Sequence, residues 1–301
     1  MSIGYACLTV GVLNTDQKTC RQKNASEEKL LEIINHNLDS LENIIDYNIS
    51  ENIRLFRISS DIIPFGSSPV NTVKWWEVFQ LKFLKIGDKI KDNNIRVSMH
   101  PGQYTVLNSP HNDVVRRAVE DLEYHTLFLN SLGLNGEHKI ILHIGGVYGN
   151  KPEAIERFKM IYRNLSDSIK QRLVLENDDK CYNIGDLIKI GEELKAPIVF
   201  DNLHNSVNPS QENKPEETWI KECNKTWKGK DGRQKIHYSQ QALGKKAGSH
   251  SLSIKLDEFM DFYKKVDGDN LDIMLEVKDK NISAVNCIGQ LSSVLEHSGP
   301  I

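Results

Sequence analysis

The chain of 301 residues is 39% hydrophobic and 26% charged, and its 38 Lys and Arg against 41 Asp and Glu give a formal net charge of −3. Such a composition excludes disordered, fibrous and disulfide-scaffold chains and leaves length for one large core or two small domains. The mild acidity gives no global pull on nucleic acid, so any contact with phosphates has to come from local Lys and Arg.

The opening MSIGYACLTV lacks a basic lead and a small-residue cleavage site, so no secretory leader is expected. No apolar run approaches the roughly 18 residues of a spanning helix. Cys7, Cys20, Cys181, Cys223 and Cys287 are scattered and never form a CxxC pair, which argues against a disulfide framework and a thiolate zinc site. The expectation is an intracellular, cytoplasmic protein with no membrane partner.

In chain order, short β-branched runs alternate with segments of helical period. The run 3 to 10 is followed by a helix over 26 to 47, where Ser26 ahead of Glu27 and Glu28 marks the start and Leu30, Leu31, Ile34, Leu38, Leu41 and Ile45 share a face. Runs follow at 53 to 60, 95 to 100, 139 to 146, 172 to 178, 196 to 204, 233 to 240 and 271 to 279. Helical segments near 71 to 92, 112 to 132, 152 to 169, 184 to 194, 214 to 223 and 255 to 265 separate them, and 281 to 295 closes the chain. This alternation predicts an α/β fold, a single-domain (β/α)8 TIM-type barrel over residues 1–295 with a tail at 296–301; a doubly wound open sheet gives a similar linear pattern. The irregular stretch 205 to 234, polar and broken by Pro and Gly, is expected to form a long excursion at the active rim.

Polar residues collect at the carboxyl ends of these runs. His100 ends the third, His143 lies late in the fourth, Glu176 ends the fifth, and Asp201 and His204 end the sixth. His237 and Glu276 lie late in the seventh and eighth, and His250 follows in a GSH loop. In a barrel these ends converge on the face that carries chemistry. Any one of the His reads most simply as a hydrogen-bonded structural residue, but a carboxylate inside LVLEND or MLEVKD has to be paired, protonated or bound to a metal. Imidazole and carboxylate without thiolate suit Mn²⁺, Zn²⁺ or Fe²⁺. Eight donors exceed the needs of one ion, and with Glu176 as a bridge they imply two or three, an arrangement typical of phosphoryl displacement.

Lys235 stands two residues before His237 and so points to the same side of its strand. Beside cations its ammonium would be deprotonated, carbamylated into an anion or turned away; a plain phosphate-binding Lys fits the spacing as well.

The run SMHPGQYTVLNSP (98 to 110), with LHIGGVYG, LENDD, FDNLHNSVNP, KIHYSQ, GSH and MLEVKDK, resembles the UV damage endonucleases from Gly4 and Tyr5 to about residue 290. The resemblance implies a TIM-barrel DNA repair enzyme with a cluster of divalent metals, manganese first and zinc second, and no organic cofactor. It implies nicking of damaged double-stranded DNA immediately 5′ of pyrimidine dimers, 6-4 photoproducts and abasic sites. It makes His100, His143, Glu176, Asp201, His204, His237, His250 and Glu276 the metal ligands, gives Glu176, Glu276 and Lys235 catalytic roles, and matches Lys235 to a carboxylated lysine. Gln103 and Tyr104 match a pair pushed into the duplex at the lesion, and Tyr5 a residue lining the pocket for extruded nucleotides. A damaged pair stacks badly and is cheaper to flip out.

Ser68, in PFGSSP, departs from the family pattern, which has a metal-associated His at that position. Lys225, Lys228, Lys230, Arg233, Lys245 and Lys246 flank the seventh run and are candidates for holding the DNA backbone of a monomeric enzyme. Two other functions share the pattern: a metal-dependent sugar isomerase or epimerase with a similar strand-end ligand set, and a lesion-binding protein that lost turnover with the Ser68 change.

Overall fold

A computed structural model describes residues 1–297, apart from the side chains of residues 269 and 295 to 297. Eight parallel strands close on themselves in sequence order: β1 (Ser2–Ala6), β2 (Leu55–Ile58), β3 (Arg96–Met99), β4 (Lys139–Leu142), β5 (Leu173–Glu176), β6 (Ile198–Asp201), β7 (Lys235–Tyr238) and β8 (Asp272–Leu275). Because β1 pairs with both β2 and β8, the sheet is a barrel and the open-sheet alternative falls. Each strand is shorter than its apolar run. The predicted 196 to 204, for example, stops at Asp201, and Asn202–Val207 is a short helix.

The helices follow the expected segments, with two of them divided. The segment near 71 to 92 forms Trp75–Val78 and Gln80–Asp92, and that near 152 to 169 forms Lys151–Asn164 and Asp167–Arg172. Glu27–Ser50 starts where Ser26 accepts a hydrogen bond from the Lys29 amide, and buries Leu30, Ile34, Leu38, Leu41 and Ile45. The last helix, Asn281–His297, takes in residues 296 and 297 of the expected tail, and the rest of that tail lies outside the described residues. Among the described residues no helix is long and apolar enough to cross a membrane.

Alternation along the strands divides the side chains into two populations. Ile3, Tyr5, Phe56, Ile58, Val97 and Met99 pack against the helices in the main core. Two smaller clusters, Ala6 with Leu55 and Met274, and Ile141, Val174 and Val199 with Trp227, fill the barrel interior. Gly4 sits where β1 and β2 approach so closely that a Cβ would stand 1.8 Å from the Leu55 carbonyl oxygen. The amino-terminal end is closed by ion pairs: Lys139 Nζ to Asp231 Oδ1 at 2.7 Å and Arg96 to Asp272 at 2.9 Å.

That floor corrects the expectation for 205 to 234. Only its first half belongs to the active rim. After the helix Glu216–Asn224 the chain passes beneath the barrel, where Trp227 donates to the Ile198 carbonyl at 2.8 Å and Arg96 donates to the carbonyls of Asp231 and Arg233. Lys225, Lys228, Lys230 and Arg233 therefore lie at the end opposite the strand-end His and carboxylate residues, because a segment leading into a parallel strand enters from its amino end. Lys245 and Lys246, which follow β7, remain on the rim.

Candidate metal centre

The carboxyl ends of the strands bring the expected donors together. Glu176, the last residue of β5, is buried at the centre. Its Oε2 lies 3.0 Å from His100 Nε2 and 3.5 Å from His143 Nε2, and its Oε1 lies 2.7 Å from His237 Nδ1 and 3.8 Å from His204 Nδ1. Glu276 Oε1 is 3.2 Å from His237 Nδ1, and His250 Nε2 stands 3.8 Å from Glu276 Oε2. Among the described residues, two groups have donor atoms close enough to hold an ion: His100, His143 and Glu176, and Glu176, Asp201, His237 and Glu276. Glu176 belongs to both. His204 and His250 border these groups without joining either.

The donors are fixed from behind, as metal-ligating residues are. His100 Nδ1 lies 3.0 Å from the Pro101 carbonyl, and His204 Nδ1 2.9 Å from that of Asn177. Asn177 and Asp201 exchange hydrogen bonds across neighbouring strands, and Asp201 Oδ1 accepts from the His204 amide. Among the buried side-chain atoms without a protein partner are four on residues of this cluster: His143 Nδ1, Asp201 Oδ2, His237 Nε2 and Lys235 Nζ. Buried groups are rarely left so, and the cost of burying them bare is considerable. The donor set and its orphaned atoms fit divalent cations.

The electrostatics point the same way. Burial would raise Glu176, but the charges of His237 and His143 and hydrogen bonds from His100 and His237 hold its carboxyl well below the usual range. Burial would also raise Glu276, yet Arg57 and His237 hold it low. Asp201 is pushed up to about 7 by burial, against the pull of His204 and with repulsion from Glu176 and Glu276. Burial opposes protonation of His204, but Asp201 and the two Glu raise it to about 9. Three carboxylates crowded this closely share too little positive charge, a deficit that a cation would make good.

Lys235, the first residue of β7, points into the barrel and is fully buried. Burial, reinforced by Arg96, Arg57 and Lys139 against the pull of Asp272, keeps its amine well below the ordinary lysine value.

Gln103 and Tyr104 lie exposed on the loop after β3, with Tyr104 67% accessible. The ring folds back over Gly102, where a Cβ would stand 2.4 Å from Tyr104 Cε1. A cleft of about 390 Å³ runs beside the donors between Gln103, His143, Asp178, Cys181 and His204. Tyr5 lies near the end of β1. It faces the helix layer, fully buried against Phe56, and its hydroxyl donates to Asn48 Oδ1 at 2.8 Å and meets Thr9 at 3.0 Å. It offers no surface to a nucleotide in this conformation. Ser68 accepts from the Val70 amide and lines a separate cavity beside Tyr104 and Asp121.

Sequence reasoning missed Arg57 and Asp121. Arg57, on the inward side of β2, is 2.5 Å from Glu276 Oε1. An Arg inside an apolar run was the available signal. Asp121 receives Thr105 at 2.6 Å and Ser67 at 2.8 Å, tying the Gln103–Tyr104 loop to the Ser68 loop.

The sequence profile described as UV-endonuclease UvdE matches residues 1–298. The UV DNA damage endonuclease of Clostridium perfringens (strain 13 / Type A) is 47% identical over 298 residues, 98% of this chain and 71% of that protein. The crystal structure of SacUVDE superposes with a TM-score of 0.91 at 39% identity, covering 98% of this chain and 99% of that one. D-psicose 3-epimerase from Clostridium cellulolyticum H10 superposes at 0.55 with 12% identity, over 92% of this chain and 85% of that one, a likeness of fold alone.

Proposed function

The chain belongs to the UV-endonuclease UvdE family, and on that premise we propose that it hydrolyses the phosphodiester bond immediately 5′ of UV lesions in duplex DNA with a divalent metal cluster. Pyrimidine dimers and 6-4 photoproducts are the substrates, with abasic sites a further one. The observation that carries the reading is the sharing of Glu176 between two donor groups. His100, His143 and Glu176 would hold one ion, and Glu176, Asp201, His237 and Glu276 a second, with His204 and His250 beside a third. Bound divalent cations, manganese first, supply Lewis-acid chemistry that acidifies water and offsets charge on the phosphate.

The chain's own residues supply the rest. Arg57 keeps Glu276 ionised, and the Asn177 and Pro101 carbonyls hold the His204 and His100 rings in orientation. Lys235, low in proton affinity and surrounded by Arg96, Arg57 and Lys139, sits where an anion is preferred to an ammonium, which supports its carboxylation. Gln103 and Tyr104 stand free to enter the duplex at a weakened pair. Neither donor group draws on Ser68, which speaks for retained turnover. All donors come from one chain, which suits a monomer.

The test is a duplex carrying one defined pyrimidine dimer, incubated with Mn²⁺ and with EDTA. A cut 5′ of the dimer that EDTA abolishes is expected; an uncut dimer duplex in Mn²⁺ would overturn the reading.

A further inference from the structure

The loop between β7 and the helix Leu256–Lys265 is a small braced finger. Gln241 and His250 form an isolated antiparallel bridge at its base. The Ala242 amide donates to the Ser249 carbonyl at 2.7 Å, and the Ser249 amide to that of Lys246 at 3.0 Å. The Gln241 side chain ties the interior, donating to the Ala242 and Lys246 carbonyls and accepting from the Gly248 amide. A turn at Gly244, with φ of +67°, exposes the tip. There Leu243 is 100% accessible, with Lys245 and Lys246 exposed beside it.

A leucine held wholly in water at the end of an internally bonded loop gives nothing to folding, since it buries no area. Its position gives it another use. In the closed order of eight strands, β3 and β7 lie across the barrel from each other. The Tyr104 loop leaves β3 and the Leu243 finger leaves β7, so two exposed apolar side chains stand on opposite sides of the mouth, with the His and carboxylate cluster between their strands. The base of the finger ends at His250, within 3.8 Å of Glu276, which ties its position to the site.

We propose that the Leu243 finger is a second DNA-gripping element, which seats Leu243 in the groove of the duplex on the side opposite Tyr104 while Lys245 and Lys246 meet the flanking phosphates. This rests on the endonuclease reading above. Apolar side chains pressed into a groove and flanked by cations are a recurrent way of holding deformed DNA. The finger's neutralised phosphates would also supply attraction that the chain's net charge of −3 does not.

Steady-state nicking of the dimer duplex in Mn²⁺ tests this with Leu243→Ala, Leu243→Met and the double variant Lys245→Gln, Lys246→Gln. Leu243→Ala is expected to raise KM about tenfold, more than it lowers kcat, with the melting temperature unchanged, and Leu243→Met to restore the parent KM. The double variant should flatten the dependence of log KM on log salt by about 2. Parent-like KM and salt slope in these variants would overturn the grip and leave the endonuclease reading intact. A parent protein that does not nick the dimer duplex would overturn both.

Discussion

Glu176 is the residue on which the centre turns, because each of its two oxygens faces different imidazoles. Glu176→Gln keeps the shape and removes the charge. It is expected to lower bound manganese and reduce kcat/KM by about three orders of magnitude, with circular dichroism unchanged; full activity and metal content would disprove the bridge. Gly102→Ala addresses the exposed aromatic. A Cβ 2.4 Å from the Tyr104 ring forces the ring off its seat. Cleavage of the dimer duplex should fall while metal content holds and stability changes by no more than about 0.5 kcal/mol. Parent-like kcat/KM would mean the seat does not matter. The donors were legible in the sequence because a polar residue ending an apolar strand has few innocuous explanations. The pairing of Arg57 was not, since its partner Glu276 is 219 positions away along the chain. Tyr5 was legible by its motif alone, and its orientation comes from strand parity, which turns it toward the helices.

At the level of elements, the number and order of strands could be read from apolar runs, and their carboxyl ends could not. Residues past Leu142 or Asp201 continue the apolar pattern while leaving the ladder, because they line the mouth rather than pair. The stretch 205 to 234 was read as one rim loop for a related reason. Pro, Gly and Lys mark irregular backbone equally well at either end of a barrel, and composition carries no record of which end. The floor segment makes its own prediction. Trp227→Ala should cost about 3 to 5 kcal/mol in urea unfolding, since the indole fills the space between Ile141, Val174 and Val199. Asp231→Ala should cost a comparable amount by leaving the buried Lys139 ammonium with the Gln171 carbonyl but no counter-charge, and Lys139→Met added to it should recover most of that loss. Little change in either single variant would mean that the floor is dispensable.

For the molecule as a whole, the barrel separates a floor that carries stability from a rim that carries chemistry, and acid should reach the floor. His138 is lowered to about 3 by burial, with Arg172 and Arg96 adding repulsion. Unfolded, it takes its proton near the ordinary value of about 6.5. Above that pH both states are neutral and the group contributes nothing. Between roughly 6.5 and 3 the unfolded chain binds the extra proton, so stability falls as pH falls, by up to about 1.4 kcal/mol per pH unit. His138→Asn should remove that part of the slope in urea midpoints measured from pH 7 to 4.5; an unchanged slope would assign it elsewhere. The same separation gives the molecule an optical property. Trp227 is an indole beneath the barrel, hydrogen-bonded to Ile198 and covered by the Arg96 guanidinium at 5.4 Å. Its emission, isolated as the difference between the parent and Trp227→Phe, should stay constant when DNA is seated at the far end and shift to the red only when the staves of the barrel part, so that the protein carries its own gauge of integrity, blind to its substrate.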